Sequence, residues 1–302
     1  MKYPLLEKMI EEAKSDLPLG VVYPLSAPAL ETVFDLIKRQ LCTPILIGPK
    51  KEIEELAVIE ELSLDGIQIV DTPKDPILAT KKAVEMVKEG ELAVLMKGSL
   101  HTEDLMGPIV HRDGLRTNKR ISHLFLFELA RYHKLLGVTD AVVNIAPNAQ
   151  LKKEILANSL DAFKRLSISN VKVAIIAATE VINPAMPSTT DAKVIVDEHT
   201  ACPIFPDTVI EGPFGFDNAI SAQSARTKGI SSKVAGDPDL LLMPDLQVGN
   251  ILYKSFVYMA DAECAGTILG AQVPITLTSR SDSVFSRVAS TAMAILLAKN
   301  PQ

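Results

Sequence analysis

Strand and helix patterns alternate along the first hundred residues, and this alternation limits the folds open to the chain. Short apolar runs predict strands at 44–47, 67–70 and 92–96. Amphipathic segments predict helices at 29–41, 50–61 and 76–89. A βαβα order of this kind is typical of a parallel sheet with helices on both faces. Ligands of such sheets bind beyond the carboxyl ends of the strands.

The alternation continues through the rest of the chain. Further strands are predicted at 121–128, 138–145, 171–177, 208–210, 237–243, 264–269 and 274–277. Further helices are predicted at 149–167, at 188–196, up to about 260, and from 284 onward. Pro147-Asn148 breaks the pattern, and the last helix can pack back on the first sheet. We therefore expect two α/β domains, 1–146 with 272–302 and 147–271.

Composition excludes several classes of function. The formal net charge of −6 and the pI of about 5.5 argue against a nucleic-acid-binding protein, which usually carries a basic face. No apolar run approaches the length of a membrane span, and the N-terminus predicts an amphipathic helix, not a secretory signal. Cys42, Cys202 and Cys264 lie far apart and lack metal-ligand spacing, which indicates reduced thiols in a cytoplasmic protein.

Polar residues follow several predicted strands. Lys97 comes directly after the strand at 92–96 with a glycine behind it, and an ammonium group there suits a phosphate. Glu180 and Asn183 follow the strand at 171–177 in the same way. The turn-rich segment 107–119 carries Arg112 and Arg116, which can bind an anion or lie on a solvated loop.

The stretch from Pro274 to Ser283 predicts a strand, a polar turn and a helix start in succession. Ser281 or Asp282 can cap that helix, whose free N–H groups favour an anion. Arg280 adds a guanidinium fork that matches phosphate or carboxylate oxygens. The stretch therefore predicts either a phosphate site or a capped helix in which Arg280 pairs with a nearby carboxylate.

The motifs of several common enzyme classes are missing. The five histidines show no zinc spacing, so we expect no metal site. The chain has no Gly-x-Ser-x-Gly elbow and no Gly-x-Gly-x-x-Gly loop after a strand. What remains are strand ends with cations, amides and a few carboxylates, which favour chemistry on small anionic molecules.

Short motifs in a fixed order resemble the phosphate acetyl/butyryl transferase family, and the phosphate butyryltransferase branch most of all. They are Met96–Gly98 with His101–Thr102; Gly114–Thr117 with Ser122–His123; Thr139–Ala141 with Asn144–Pro147; Glu180 with Asn183–Pro187 and Thr189; Gly212–Pro213 with Asp217–Ser221; Pro244–Asp245 with Gly249–Lys254; and Thr278–Arg280 with Asp282–Ser283. The resemblance is strong from about Leu92 to the end.

The resemblance implies two α/β/α domains with an interdomain cleft, similar to isocitrate and isopropylmalate dehydrogenases, and usually a homodimer. It implies the reversible reaction of acyl-CoA and phosphate to acyl phosphate and CoA, with coenzyme A as substrate and no tightly bound cofactor. Ser279 and Arg280 match the substrate-binding Ser-Arg pair of the acetyl branch. The base of that branch falls on Ser286, so Asp282 is the candidate base.

The remaining site residues come from the same resemblance. The implied substrate or phosphate contacts are Lys97, Arg112, Arg116, Lys134, Asn144, Glu180 and Asn183, and the implied CoA contacts are Asn250 and Lys254. Three alternatives stay open: a phosphate acetyltransferase, a metal-dependent decarboxylating 2-hydroxyacid dehydrogenase on the same fold, and a non-catalytic sensor of acyl phosphate or CoA.

Overall fold

The computed structural model describes residues 2–277, 279 and 282–300. Contacts divide the chain into two compact units, one running to Lys119 and resuming at Cys264, the other running from Arg120 to Glu263. The sequence-based division assigned residues 120–146 to the first domain. Their two strands pair with each other and with strands of the second unit, so their contacts belong there.

The first unit follows the predicted alternation of strands and helices. Its strands are β1 (Pro18–Val22), β2 (Thr43–Gly48), β3 (Gln68–Asp71) and β4 (Val94–Lys97), to which we add β10 (Glu263–Leu269) and β11 (Ile275–Thr276). Its helices are α1 (Pro4–Glu12), α2 (Ala27–Lys38), α3 (Lys50–Ile59), α4 (Pro76–Lys88), α5 (Thr102–Val110) and α11 (Val284–Lys299).

The strands of the first unit lie in the order β3-β2-β1-β4-β11-β10. All neighbours are parallel except β10 and β11. Because β11 runs parallel to β4, with Ile275 opposite Leu95, the two strands end at the same edge. Lys97 and the turn after β11 therefore leave the sheet side by side.

Helix α11 is buried along most of its length because it packs against α1, α2, β4 and β11. Its hydroxyl groups accept hydrogen bonds from the backbone of β10. Ser286 Oγ accepts from the Cys264 N–H at 3.2 Å, and Ser290 Oγ from the Gly266 N–H at 2.9 Å. These bonds satisfy buried backbone donors.

The second unit carries its own mixed sheet. Its strands are β5 (Ser122–Glu128), β6 (Leu136–Thr139), β7 (Val171–Ile176), β8 (Thr208–Phe214) and β9 (Leu240–Leu242). Its helices are α6 (Ala149–Arg165), α7 (Pro187–Ala201), α8 (Phe216–Ile220), α9 (Ala222–Thr227) and α10 (Leu246–Met259).

The strands of the second unit lie in the order β5-β6-β9-β7-β8. β5 and β6 are antiparallel, whereas β6, β9, β7 and β8 are mutually parallel. The carboxyl ends of β6, β9 and β7 therefore share one edge with the beginning of β5. We call this edge of the second sheet the carboxyl edge.

Some local predictions were wrong. The strand predicted at 138–145 ends at Thr139, because the carboxylate of Asp140 accepts hydrogen bonds from the N–H groups of Val142 and Val143 and turns the chain. The N-cap of α11 is Ser283, whose hydroxyl accepts from the Ser286 N–H at 2.9 Å, not Ser281 or Asp282. Asp282 instead accepts from the Ser279 N–H at 2.6 Å.

Among the described residues, no helix is both long and apolar enough to cross a membrane.

Candidate functional site

A polar turn lies between β11 and α11 in the first unit. The Asp282 carboxylate accepts from the Ser279 N–H, and the Asp282 N–H donates to the Ser279 carbonyl at 3.2 Å. These two bonds join Ser279 to Asp282, and Ser279 is exposed. Arg280, the predicted anion-binding residue, lies outside the described residues, as do Thr278 and Ser281.

Arg287 connects this turn to the helix that follows it. Its side chain is only 4 % exposed, and its Nη2 donates to the Ser279 carbonyl at 2.8 Å. A longer contact of 3.4 Å joins its Nε to the Asp282 carbonyl. Burial lowers the pKa of the guanidinium, while the charge of Asp282 raises it. Sequence reasoning missed Arg287, because an arginine inside a helix gives no sign that it faces inward.

Lys97 leaves the first sheet at the same edge as this turn. It is buried, and its Nζ donates to the Leu100 carbonyl at 3.2 Å. The next residue must be glycine, because a Cβ on Gly98 would lie 2.5 Å from the carbonyl oxygens of Val22 and Tyr23. The close approach of the ends of β1 and β4 therefore sets the position of Lys97.

Arg112 and Arg116 lie on the connection after α5 and are exposed. The backbone of Arg116 forms a bridge with Ala271, and Thr117 Oγ1 donates to the Gly270 carbonyl at 2.7 Å. The segment predicted as a basic loop is thus tied down at its backbone, while both guanidinium groups face solvent.

A hydrogen-bonded network occupies the carboxyl edge of the second sheet. Asp140 is buried, and its carboxylate accepts from three backbone N–H groups and from Asn144 Nδ2 at 2.6 Å. Asn144 Nδ2 also donates to the Ile121 carbonyl, and Asn144 Oδ1 accepts from Arg120 Nε at 3.0 Å. Burial raises the pKa of Asp140, although the hydrogen bonds to its carboxylate act to lower it.

The side chain of Asn144, predicted to contact substrate, is therefore used within the protein. Both its amide nitrogen and its carbonyl oxygen have protein partners. Its observed contacts are those of a residue that holds Asp140 and Arg120 in position.

His123 lies in β5 beside this network. Its ring packs against that of Phe125 in a tilted arrangement with centroids 4.2 Å apart, and neither ring nitrogen has a hydrogen-bond partner among the described residues. Complete burial lowers the pKa of His123 to about 3. The imidazole is therefore neutral at physiological pH.

The first turns of α10 also reach the carboxyl edge. Asp245 caps the helix by accepting from the Val248 N–H at 2.9 Å. A Cβ on Gly249 would lie 2.7 Å from the Asp140 carbonyl oxygen, so glycine lets the helix approach that turn. Asn250 Nδ2 donates to the Ala141 carbonyl at 3.2 Å, and Lys254, one turn further, is exposed.

Glu180 and Asn183 follow β7 at the same edge. Glu180 Oε2 accepts from Asn218 Nδ2 at 3.0 Å and lies 3.7 Å from Lys228 Nζ. Asn183 is exposed and closes a local turn, its Oδ1 accepting from the Ala185 N–H at 3.0 Å. The Thr189 hydroxyl donates to the Asn183 carbonyl and fixes the loop against α7.

A cavity of about 670 Å³ opens beside this loop. It is lined by residues from the starts of α6, α7 and α10, among them Asn148, Ser188 and Asp245. At its wall Lys152 Nζ pairs with Asp191 Oδ2 at 2.8 Å. The cavity thus combines apolar walls with one neutralised ion pair.

Lys134 lies at the opposite edge of the second sheet, just before β6. Its Nζ is 2.9 Å from Asp237 Oδ1 and 2.6 Å from Asp239 Oδ1, and Lys172 pairs with Asp237 at 2.5 Å. Burial acts to raise the pKa of Asp237, yet Lys172 and Lys134 hold it well below its usual range. The charge of Lys134 is thus already matched within the protein, away from Asp140 and Asn144.

The cysteines and the acidic groups add no further site. None of the three cysteines forms a disulfide, and burial raises the pKa of Cys42 to about 12, which keeps that thiol protonated. Within the described part of the chain, no cluster of three or more His, Cys, Asp or Glu side chains is arranged to hold a metal ion.

The structure thus groups the predicted residues by unit. In the first unit it brings Lys97 to the edge where the turn of Ser279 and Asp282 begins. In the second it gathers Asn144, Glu180, Asn183 and Asn250 at the carboxyl edge and leaves Lys134 at the other.

Comparisons with known proteins identify the family. A family model described as "Phosphate acetyl/butaryl transferase" matches residues 77–295. Phosphate acetyltransferase of Rhizobium meliloti is 39 % identical over 97 % of this chain and 93 % of its own length. Phosphate butyryltransferase of Clostridium acetobutylicum is 37 % identical over 90 % of each chain.

A solved structure agrees with these matches. The crystal structure of a branched-chain phosphotransacylase from Enterococcus faecalis V583 superposes with a TM-score of 0.83 at 28 % identity, covering 94 % of this chain and all of the other. The α/β fold with its mixed strand pairing and the ordered motifs have one common explanation: this chain belongs to the phosphate acetyl/butyryl transferase family.

Proposed function

We propose that this protein is a phosphotransacylase that transfers a short-chain acyl group, butyryl or branched-chain, between coenzyme A and inorganic phosphate. The observation that carries the proposal is the family match over residues 77–295, which includes the turn of Ser279 and Asp282 before α11. The position of Lys97 at the same sheet edge supports it, since an anionic substrate needs cations close to the reacting atoms.

The proposed chemistry is a direct displacement. In the direction of acyl-CoA synthesis, the CoA sulfur attacks the carbonyl carbon of the acyl phosphate; the C–S bond forms, the C–O bond breaks, and phosphate leaves with the bonding electrons. The thiol has a pKa above neutrality, so a base must take its proton. Asp282 is our candidate for that base, and Ser279 for a donor to the developing oxyanion.

Phosphate binding is assigned to cations of the first unit. Arg280, outside the described residues, is proposed to hold the leaving phosphate through its guanidinium fork. Lys97, Arg112 and Arg116 are proposed to add positive charge. Lys97 is the best supported of these three, because it ends β4 at the edge where β11 also ends, next to the turn of Ser279 and Asp282.

The second unit is proposed to supply the remaining contacts. We retain Glu180 and Asn183 as substrate contacts, and Asn250 and Lys254 as CoA contacts, because all four lie at or near the carboxyl edge. Lys134 is left out of the proposed site, since its ammonium group already pairs with two carboxylates at the other edge.

Phosphate acetyltransferase is the second candidate function. Sequence identity favours neither branch, because an acetyltransferase matches at 39 % and a butyryltransferase at 37 %. The 28 % identical branched-chain structure supports the longer substrates. Values of kcat/KM for acetyl-, propionyl-, butyryl- and isovaleryl-CoA decide between them. A preference for acetyl-CoA would contradict the butyryl assignment.

The alternatives of other classes have less support. A metal-dependent 2-hydroxyacid dehydrogenase finds no support in the relatives named above, which are transferases. A non-catalytic sensor would bind acyl phosphate or CoA tightly without turnover, which calorimetry combined with an activity assay distinguishes.

We also propose the architecture and assembly implied by the family: an isocitrate dehydrogenase-like pair of α/β domains with the active site in an interdomain cleft, in a cytoplasmic homodimer. An exposed apolar stripe on α10 supports the dimer; Val248, Ile251 and Tyr258 lie on it, and the latter two are each 66 % exposed. Free cysteines agree with a reducing compartment.

The dimer is tested by light scattering on Ile251→Asp. The matched control is Val58→Asp on α3, where another exposed apolar side chain is replaced. We expect the first variant to become monomeric and the second to keep the mass of the parent protein. A monomeric parent protein, or a dimeric Ile251→Asp variant, would contradict this surface.

Activity is tested with butyryl-CoA and phosphate by following release of the thiol. We expect release that depends on phosphate and saturates with it. No turnover with any acyl-CoA from acetyl to isovaleryl refutes the function. An unchanged KM for phosphate in Arg280→Ala would show that Arg280 does not bind phosphate.

A further inference from the structure

Arg120 lies at the carboxyl edge of the second sheet and has no role in the site described so far. It stands two residues before β5, and β5 runs antiparallel to β6 with Phe125 opposite Val138. The start of β5 therefore lies where β6 ends, next to the turn of Asp140.

Among the described residues, a single hydrogen bond holds the guanidinium of Arg120. Its Nε donates to Asn144 Oδ1 at 3.0 Å. Asn144 is itself fixed, since its Nδ2 donates to the Ile121 carbonyl at 3.0 Å and to Asp140 Oδ2 at 2.6 Å. With Nε bonded to Asn144, both terminal nitrogens still carry N–H groups for a ligand, and the bond restricts the directions in which this end of the guanidinium can point.

Arg120 makes no ion pair with the residues that the structure describes, and its side chain is exposed. Two other arginines differ in this respect: Arg39 pairs with Glu7 and Asp35, and Arg165 with Asp161. An oriented guanidinium without a carboxylate is what an oxyanion-binding position requires, because the fork matches two oxygens of a phosphate.

The neighbouring Asp140 does not account for this arrangement. Its buried carboxylate already receives three backbone N–H groups and the amide of Asn144. Arg120 reaches only the far end of that amide, so its terminal nitrogens are left for solvent or a ligand. A purely compensating cation would make direct contact with the carboxylate it serves.

We propose that Arg120 is a binding residue for a phosphate group of the substrates, and that Asn144 with Asp140 positions it. The inference rests on the proposed phosphotransacylase function and adds to it a cation in the second unit. The ligand is a phosphate dianion or monoester, which either inorganic phosphate or the phosphates of coenzyme A supply.

Arg120→Gln and Arg120→Lys test the proposal, with Arg131→Gln as the matched control. Arg131 is an exposed arginine of the same unit, three residues beyond the other end of β5. KM is measured for phosphate at saturating butyryl-CoA and for butyryl-CoA at saturating phosphate. Loss of one charged hydrogen-bonded contact raises the relevant KM about ten- to a hundredfold in Arg120→Gln.

Kinetics with different substrates distinguish inorganic phosphate from the phosphates of coenzyme A as the ligand of Arg120. A raised KM for inorganic phosphate alone assigns the free anion. A raised KM for butyryl-CoA that disappears with butyryl-dephospho-CoA assigns the 3′-phosphate of CoA. Arg120→Lys keeps the charge but loses the fork, so it should show a smaller rise in the same KM; it also serves if the glutamine variant fails to fold.

Binding measured by calorimetry separates this inference from the proposed function. If the parent protein does not turn over but CoA or inorganic phosphate binds at least tenfold more weakly to Arg120→Gln than to Arg131→Gln, the function falls and the role of Arg120 stands. If both KM values and both affinities of the folded Arg120 variants stay within twofold of those of Arg131→Gln, the role of Arg120 is overturned.

Discussion

Replacing Arg287 by methionine should disable the enzyme with little loss of stability. The guanidinium is buried and holds the turn of Ser279 and Asp282 through the Ser279 carbonyl at 2.8 Å. The contact with the Asp282 carbonyl, at 3.4 Å, is longer than an ordinary N–H···O bond and contributes little.

The size of the effect is worked from the bond to the Ser279 carbonyl. A hydrogen bond from a charged donor stabilises its arrangement by about 1.5–3 kcal/mol. Losing it lets the turn leave its position, so we expect kcat/KM to fall roughly ten- to a hundredfold. Methionine fills a similar volume and leaves no charge buried, so the free energy of unfolding should change by less than about 1 kcal/mol.

The assay compares thiol release from butyryl-CoA with thermal unfolding. Lys299→Met is the matched control, because it removes an exposed cation from the other end of the same helix. Arg287→Lys should recover part of the activity, since it restores a charged donor. A kcat/KM of Arg287→Met within twofold of the parent, at an unchanged melting temperature, would refute the role given to this contact.

Three further perturbations test the packing around the candidate site. Gly249→Ala places a Cβ 2.7 Å from the Asp140 carbonyl oxygen, so chemical denaturation should show a loss of about 1–3 kcal/mol; an unchanged midpoint would contradict the close approach of α10. Ser286→Ala removes the acceptor for the Cys264 N–H, which should cost roughly 1–2 kcal/mol while kcat stays within threefold; a much larger loss of kcat at unchanged stability would give Ser286 a chemical role. His123 has its pKa lowered to about 3 by burial, so the unfolded state binds more protons and stability falls as pH drops from about 6.5 towards 3. His123→Phe should reduce the slope of unfolding free energy against pH by up to about 1.4 kcal/mol per unit in that window, and an equal slope in both proteins would contradict the buried neutral imidazole.

Much of the fold could be predicted from the sequence. The alternation of apolar strands and amphipathic helices gave β7 within a residue of its observed end and α6 within two residues. β1, at Pro18–Val22, was missed, because five residues that include Pro18 and Gly20 give a weak strand pattern. α8 and α9 were missed because helices of five and six residues are too short to show periodicity.

The candidate site was harder to predict than the fold. Lys97 ends β4 and Glu180 follows β7, so both lie at the expected strand ends, because parallel strands carry their carboxyl ends to one edge. Lys134 was predicted from the family resemblance alone: it precedes its strand, and only the structure reveals the two aspartates that pair with it. Arg120 was not singled out either, since its orientation depends on Asn144, which lies 24 residues away in sequence.

A phosphotransacylase breaks the C–S bond of butyryl-CoA and transfers the acyl group to phosphate. The most direct measurement quantifies the CoA thiol and the acyl phosphate in the same reaction of butyryl-CoA with inorganic phosphate. We expect one acyl phosphate for each thiol released, and no thiol release when phosphate is omitted. Thiol release without acyl phosphate, or release that does not depend on phosphate, would contradict it.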